Sequence, residues 1–177
     1  MSALRALPNG VPVLGENVFV DASAVVSGQV VLGDEVSVWP CVSIRGDLLP
    51  IHIGARSNIQ DGSILHTSQK STQHPDGFPL HIGTDVTVGH GVILHGCTIG
   101  NLCLIGMGSI VLDGVILEDE VFLGAGSLVP PGKILESGFL WLGNPVKKIR
   151  PLTADERAFL QVSAQNYVRL KALHVGL

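Results

Sequence analysis

The sequence predicts a mainly β protein: a parallel β-helix closed at its C-terminal end by one α-helix. Three observations predict it. Aliphatic side chains recur every six residues over more than 100 positions. A second column of small or β-branched side chains follows four positions behind the first and keeps its phase. The pattern stops at Pro145, and helical spacing begins soon after. Neither the helical period of 3.6 nor the strand period of 2 generates two columns six apart, whereas stacked hexad coils do.

The first run of the aliphatic column is Leu14, Val20, Val26, Leu32, Val38 and Ile44. It resumes at Ile53, Ile59 and Leu65, again at Ile82, Val88 and Leu94, and finishes with Ile99, Ile105, Val111, Leu117, Leu123 and Val129. The trailing column includes Val18, Ala24, Val30, Val36, Val42, Ser57, Ser63, Val86, Val92, Thr98, Ser109, Val115 and Ser127, and both columns are expected to point inward. The sequence resembles the left-handed, triangular class of hexapeptide-repeat proteins. That resemblance implies the handedness and three hexads per coil, so the 18 aliphatic positions make about six coils.

Three interruptions break the phase. Residues 49–52 add three positions before Ile53, Leu65 and Ile82 lie 17 apart, and Thr98 closes a unit of five. Insertions in a solenoid emerge as surface loops, often on the functional face. Residues 1–150 form the repeat segment and residues 151–177 the helix, within one domain. Thr153-Ala154-Asp155-Glu156 reads as a capping box. Phe159, Leu160, Tyr167, Leu170 and Leu173 then recur at roughly helical spacing, so this helix is expected to lie along the outside of the solenoid and cap its last repeats.

Composition narrows the function classes. A net charge of −4 leaves no basic footprint for nucleic acid. No apolar run approaches the ~18–20 residues of a membrane span. The opening MSALRALPNG lacks an export-signal core, and Cys41, Cys97 and Cys103 form no spaced framework. Both features point to free thiols in a cytoplasmic setting.

The chemistry gathers in residues 88–98, VGHGVILHGCT, with one more histidine a layer earlier. Assigning sides of the triangle from Leu14 puts Ile44, Leu65 and Leu94 on one side in successive coils. Arg45, His66 and His95 follow them as an outward column, and coils ~4.8 Å apart let His66 and His95 share one ion. His90 lies at another corner, roughly 15 Å along the extended chain from His95. Asp61 is one coil below His90, with Gln60 beside it. One corner therefore offers Arg45, Asp47, His66 and His95, and another offers Gln60, Asp61 and His90. A threefold ring joining the first corner of one chain to the second of its neighbour is a closed heterologous contact. It predicts a homotrimer with a metal on three histidines at each boundary. Cys97 is expected to be a buried thiol rather than a ligand.

The set Arg45-Gly46-Asp47, Asn58-Ile59-Gln60-Asp61-Gly62, His66, Gly89-His90 and His95-Gly96 resembles that of the γ-class carbonic anhydrases. The resemblance implies a trimeric left-handed β-helix with a C-terminal helix, metal ligands at His66, His90 and His95, and CO₂ and bicarbonate as substrates. It also implies site roles for Arg45, Asp47, Asp61 and Gln60, and one for Tyr167 on the helix. Zn²⁺ suits three imidazoles, as do Fe²⁺ and Co²⁺. On zinc, three neutral ligands leave an open position and bring bound water to a pKa near 7, which supplies hydroxide for attack on CO₂. One departure is plain. Leu48-Leu49-Pro50 follows Asp47, and residues 67–81 contain no glutamate, so the acidic proton-exporting loop of active members is missing and hydration is expected to be slow. His74 is the local shuttle candidate. Two other readings stand beside this one: a hexapeptide-repeat acyltransferase, whose exit from the repeat Gly143-Asn144-Pro145-Val146-Lys147 resembles, and a non-catalytic trimer that keeps metal for structure.

Overall fold

A computed structural model describes residues 3–174. The outermost ends of the two expected segments, residues 1–2 and 175–177, lie outside the described residues. The chain winds into a parallel β-solenoid, followed by the helix Ala154–Lys171. On one face, seven parallel strands stack in chain order: Phe19–Val20, Ser37–Val38, Asn58–Ile59, Thr87–Val88, Leu104–Ile105, Phe122–Leu123 and Phe139–Gly143. An eighth, Val146–Pro151, runs antiparallel and finishes the sheet. The other strands form a second sheet of 12.

The register carries the repeat directly. Val20 pairs with Val38, Ile105 with Leu123, and Leu123 with Trp141, a spacing of 18 residues or three hexads. The ladder continues through Ile134–Leu135 and Phe139–Gly143, past Val129, so the solenoid is longer than the six coils expected. The aliphatic column is the core: Leu32, Ile44, Ile59, Leu65, Leu94, Ile105 and Leu123 are fully buried. One corner of the triangle requires left-handed backbone in coil after coil. Asn17, Glu35, Arg56, Asp85, Leu102 and Glu120 adopt it with φ between 53° and 62°, although none is glycine.

Two expected inward positions are not inward. Leu14 is 37 % exposed, because the first coil has a neighbour on only one side. Thr98 is exposed while Cys97 is buried in its place. The five-residue unit advances the phase by one, so the residue three after Leu94 fills the corner. Burial drives the Cys97 thiol well above its ordinary pKa and pushes Cys103 up to about 12, so both are inert packing groups.

The interruption before Ile53 is a bulge rather than a loop. Ser43–Ile53 is one continuous strand whose register against Val25–Leu32 jumps from Gly28↔Gly46 to Val30↔Ile51. Asp47, Leu48, Leu49 and Pro50 are thereby pushed out of the ladder, and bulges of this kind re-aim side chains. The longer interruption, residues 67–79, does project as a loop, with Ser68 and Phe78 bridged antiparallel at its base.

The helix starts where its capping box predicts. Thr153 Oγ1 accepts from the Glu156 amide at 3.2 Å, and the Glu156 carboxylate accepts from the Thr153 amide at 2.9 Å. Leu160 and Ala164 are buried against the smaller sheet, Ser163 and Thr87 share a hydroxyl hydrogen bond of 3.0 Å, and the Tyr167 ring meets Trp39 edge-on at 5.4 Å.

Candidate metal centre

His66 ends the strand Ile64–His66, and His95 ends Ile93–His95. The two strands pair in register with His66 directly against His95, and Ile44 pairs with Leu65, so Arg45 stands in the same outward column. The column read from the sequence is therefore present. His66 Nδ1 lies 3.2 Å from His95 Nε2.

The outer nitrogens of this pair are engaged by carboxylates. Asp47 Oδ1 lies 2.9 Å from His66 Nε2, and Asp113 Oδ1 lies 2.7 Å from His95 Nδ1. An ionised carboxylate only accepts, so each outer nitrogen carries the proton. The two inner nitrogens of the neutral rings then present lone pairs to each other. That arrangement is repulsive until a cation lies between them. A tetrahedral ion with Zn–N bonds of ~2.0–2.1 Å needs ligand atoms ~3.4 Å apart, close to what the pair offers. The donor set fits a divalent metal.

His90 is elsewhere, two residues beyond Thr87–Val88 on the smaller sheet. Its Nδ1 is 3.0 Å from Asp61 Oδ2, so by the same reasoning the proton is on Nδ1 and the lone pair on Nε2 of a half-exposed ring. Among the described residues, no single-chain group of three or more His, Cys, Asp or Glu side chains is placed to hold an ion. His66 and His95 come together in one chain, and His90 does not join them.

Electrostatics support the pairings. Burial works against Asp47 ionisation, yet hydrogen bonds from Arg45 and His66 outweigh it and hold the carboxyl below its ordinary pKa. Within the chain Arg45 pairs with Asp47, and Asp61 with His90. Gln60 is 5 % exposed, and its Nε2 donates to Asn58 Oδ1 at 3.0 Å. Asn58 Nδ2 in turn donates to Thr87 Oγ1 at 3.1 Å, and Thr87 meets Ser163 on the helix. This chain of bonds fixes the Gln60 amide, and Gln60 lines one groove with His90, Met107 and Phe159. Burial, with the Asp61 charge as a lesser cause, raises the Tyr167 pKa and keeps the phenol protonated.

Sequence reasoning missed Asp113, Thr87 and Ser68, and gave Asn58 no role beyond its place in the motif. Asp113 lies one coil after Gly96, but that coil is 17 residues long instead of 18 because of the five-residue unit, as the pairing of Leu94 with Val111 shows. The other His66, His90 and His95 partners were visible as the Asp47 and Asp61 of the motif.

Comparison with known proteins agrees with the fold. The family described as bacterial transferase hexapeptide (six repeats) matches residues 12–46 and 96–131. The fold is also that of a Bacillus cereus crystal structure, a provisionally assigned acetyltransferase, at TM-score 0.90 and 39% identity over 97% of this chain and 95% of that one. The protein is thus a hexapeptide-repeat β-solenoid. Among sequences, it is 60% identical to protein YrdA of Escherichia coli over 95% of this chain and 91% of that protein. It is 44% identical to a carbonic anhydrase of Geobacillus kaustophilus, over 89% of this chain and 82% of that protein. It is 40% identical to the mitochondrial gamma carbonic anhydrase 2 of Arabidopsis thaliana, over 93% of this chain and 59% of that protein. The chain belongs to the γ-class carbonic anhydrase family. No helix among the described residues is long and apolar enough to cross a membrane.

Proposed function

We propose that the protein is a metal-dependent carbonic anhydrase-like lyase that interconverts CO₂ and bicarbonate at the boundaries of a homotrimer. The metal is held by His66 and His95 of one chain and His90 of the next. The observation that carries this reading is the His66–His95 pair: two carboxylates fix both tautomers so that two lone pairs converge 3.2 Å apart. His90 is likewise fixed by a carboxylate, Asp61 on its Nδ1, at a different corner, which is the pattern a shared site requires.

When bound, Zn²⁺, or Fe²⁺ or Co²⁺ in its place, supplies a Lewis acid with a position open to water and substrate. The chain supplies the rest. Asp47 and Asp61 hold the rings of His66 and His90. Gln60 presents a fixed acceptor oxygen beside His90, suited to a hydroxyl proton of the nucleophile or of bicarbonate. Tyr167 offers a neutral phenol near the same corner. Arg45 supplies positive charge at the histidine column and, in the trimer, comes within reach of the neighbouring chain's second corner. Proton export is the weak element. His74 packs on Phe78 at 4.7 Å between ring centres, in a cleft of about 480 Å³ that Asp113 also lines, and no glutamate stands in that loop. Hydration is therefore slow, and buffer-limited.

Metal content and stopped-flow CO₂ hydration on anaerobically purified protein test this reading, with His90→Ala alongside. Support takes the form of about one ion per chain and hydration lost in the variant. Stoichiometric metal without hydration would reduce the site to a structural role. The Bacillus cereus neighbour keeps a second reading open, acetyl transfer; absence of metal together with acetyl-CoA binding would favour it.

A further inference from the structure

We infer that Asp113 is a positioning residue of the metal centre, which selects the His95 tautomer and ties the projecting loop to that ligand. The inference rests on the reading of His95 as a ligand. It begins from how the Asp113 carboxylate spends its two oxygens. Oδ1 accepts from His95 Nδ1–H at 2.7 Å, and Oδ2 accepts from the Ser68 hydroxyl at 2.7 Å. Ser68 is at the base of the loop of residues 67–79, where its backbone bridges to Phe78. One carboxylate therefore joins the ligand of one coil, the turn of the next coil and the root of the loop.

The surrounding backbone is shaped to admit that carboxylate. A Cβ on Gly96 would lie 2.3 Å from Asp113 Oδ1 and 2.6 Å from Phe78 Cβ, and Gly96 has φ of +51°. The space beside His95 is kept free of a side chain, and Asp113 and Phe78 fill it. Free imidazole favours the Nε2–H tautomer, which would turn a proton rather than a lone pair toward His66. Asp113 reverses that preference, as carboxylates behind metal-bound histidines do. Asp61 holds the same Nδ1–H tautomer at His90, while Asp47 holds the Nε2–H form of His66 that free imidazole already favours, so each of the three histidines has one carboxylate behind it.

Long-range ¹H–¹⁵N correlation spectra of the metal-free protein read the tautomer directly. Nδ1–H is expected at His95 in the wild type, Nε2–H in Asp113→Ala, and Nδ1–H again in Asp113→Asn, whose amide oxygen still accepts. In chelator competition, zinc affinity is expected to fall ~10–100-fold in Asp113→Ala and largely to return in Asp113→Asn. An unchanged tautomer and a zinc affinity within about twofold in Asp113→Ala would overturn the inference. If His66→Ala and His90→Ala bound zinc like wild type, the three-histidine reading would fail instead, while the metal-free spectra would still decide the role of Asp113.

Discussion

The coils from Ile99 to Leu135 and the coils from Ser43 to Cys97 are built from one repeat but used differently. In the later stretch the aliphatic column runs without a break and pairs at constant spacing, and buried hydroxyls bond to turn backbone, as Ser109 and Ser127 do at the Gly124 carbonyl; Asp113 is the residue this stretch lends to the site. The earlier stretch contains every departure from period six: the bulge before Ile53, the long loop after His66, and the five-residue unit after His95. Each departure falls beside a proposed ligand. The bulge brings Asp47 to His66, the loop brings Ser68 to Asp113, and the short unit makes the space beside His95. Regular coils supply stability; their interruptions supply chemistry.

The contrast breaks most visibly if core and site variants fail to separate. Leu123→Ala, at a fully buried position of the regular stretch, is expected to cost about 2–5 kcal/mol of stability without removing any proposed ligand. His66→Ala should remove zinc binding yet leave the denaturation midpoint of the metal-free protein nearly unchanged. Denaturant titration and metal analysis on the same preparations check both. A smaller effect concerns the loop. Replacing residues 70–76 by a short glycine-serine link should leave far-ultraviolet dichroism and the native assembly mass intact, because the root bridge between Ser68 and Phe78 closes it.

The helix offers a finer test, since it is fastened by charge rather than by repeat. Hydrogen bonds from Arg150, then from the Thr153 amide, pull the Glu156 pKa down to about 2. A depressed carboxyl pKa stabilises fully above the unfolded value, ~4.3, and that stabilisation disappears as pH falls toward 2. Amide exchange in the first turn of the helix should therefore accelerate between pH 4 and pH 2 before the solenoid core opens, and Thr153→Ala should cost about 1 kcal/mol at neutral pH. The smallest expected effect is chemical: in the native protein Cys41 should react with a thiol reagent and Cys97 and Cys103 should not, as one is exposed and two are buried.

The solenoid was legible because a hexad leaves a one-dimensional record: inward residues must be apolar wherever the coil repeats, and Val20 through Val129 keep that record. The capping box at Thr153 was equally local. Asp47 and Asp61 were readable as motif partners of the histidines. Asp113 was not, because its contact depends on which residue lands above Gly96 after one coil, and a five-residue unit lies between. The same unit hid the exchange of Thr98 for Cys97. The Gln60–Asn58–Thr87–Ser163 chain was hidden for a further reason: it joins the solenoid to a helix whose docking position no repeat records.

The proposed division of each metal site between two chains can be read from mixed subunits. His90→Ala and His95→Ala chains, each unable to bind metal alone, are denatured together, refolded as mixed trimers and analysed for zinc. About one quarter of the wild-type sites should be recovered, since each boundary is intact only when the His90→Ala chain supplies the first corner and the His95→Ala chain the second. Mixed trimers that bind no more zinc than either variant alone would contradict it.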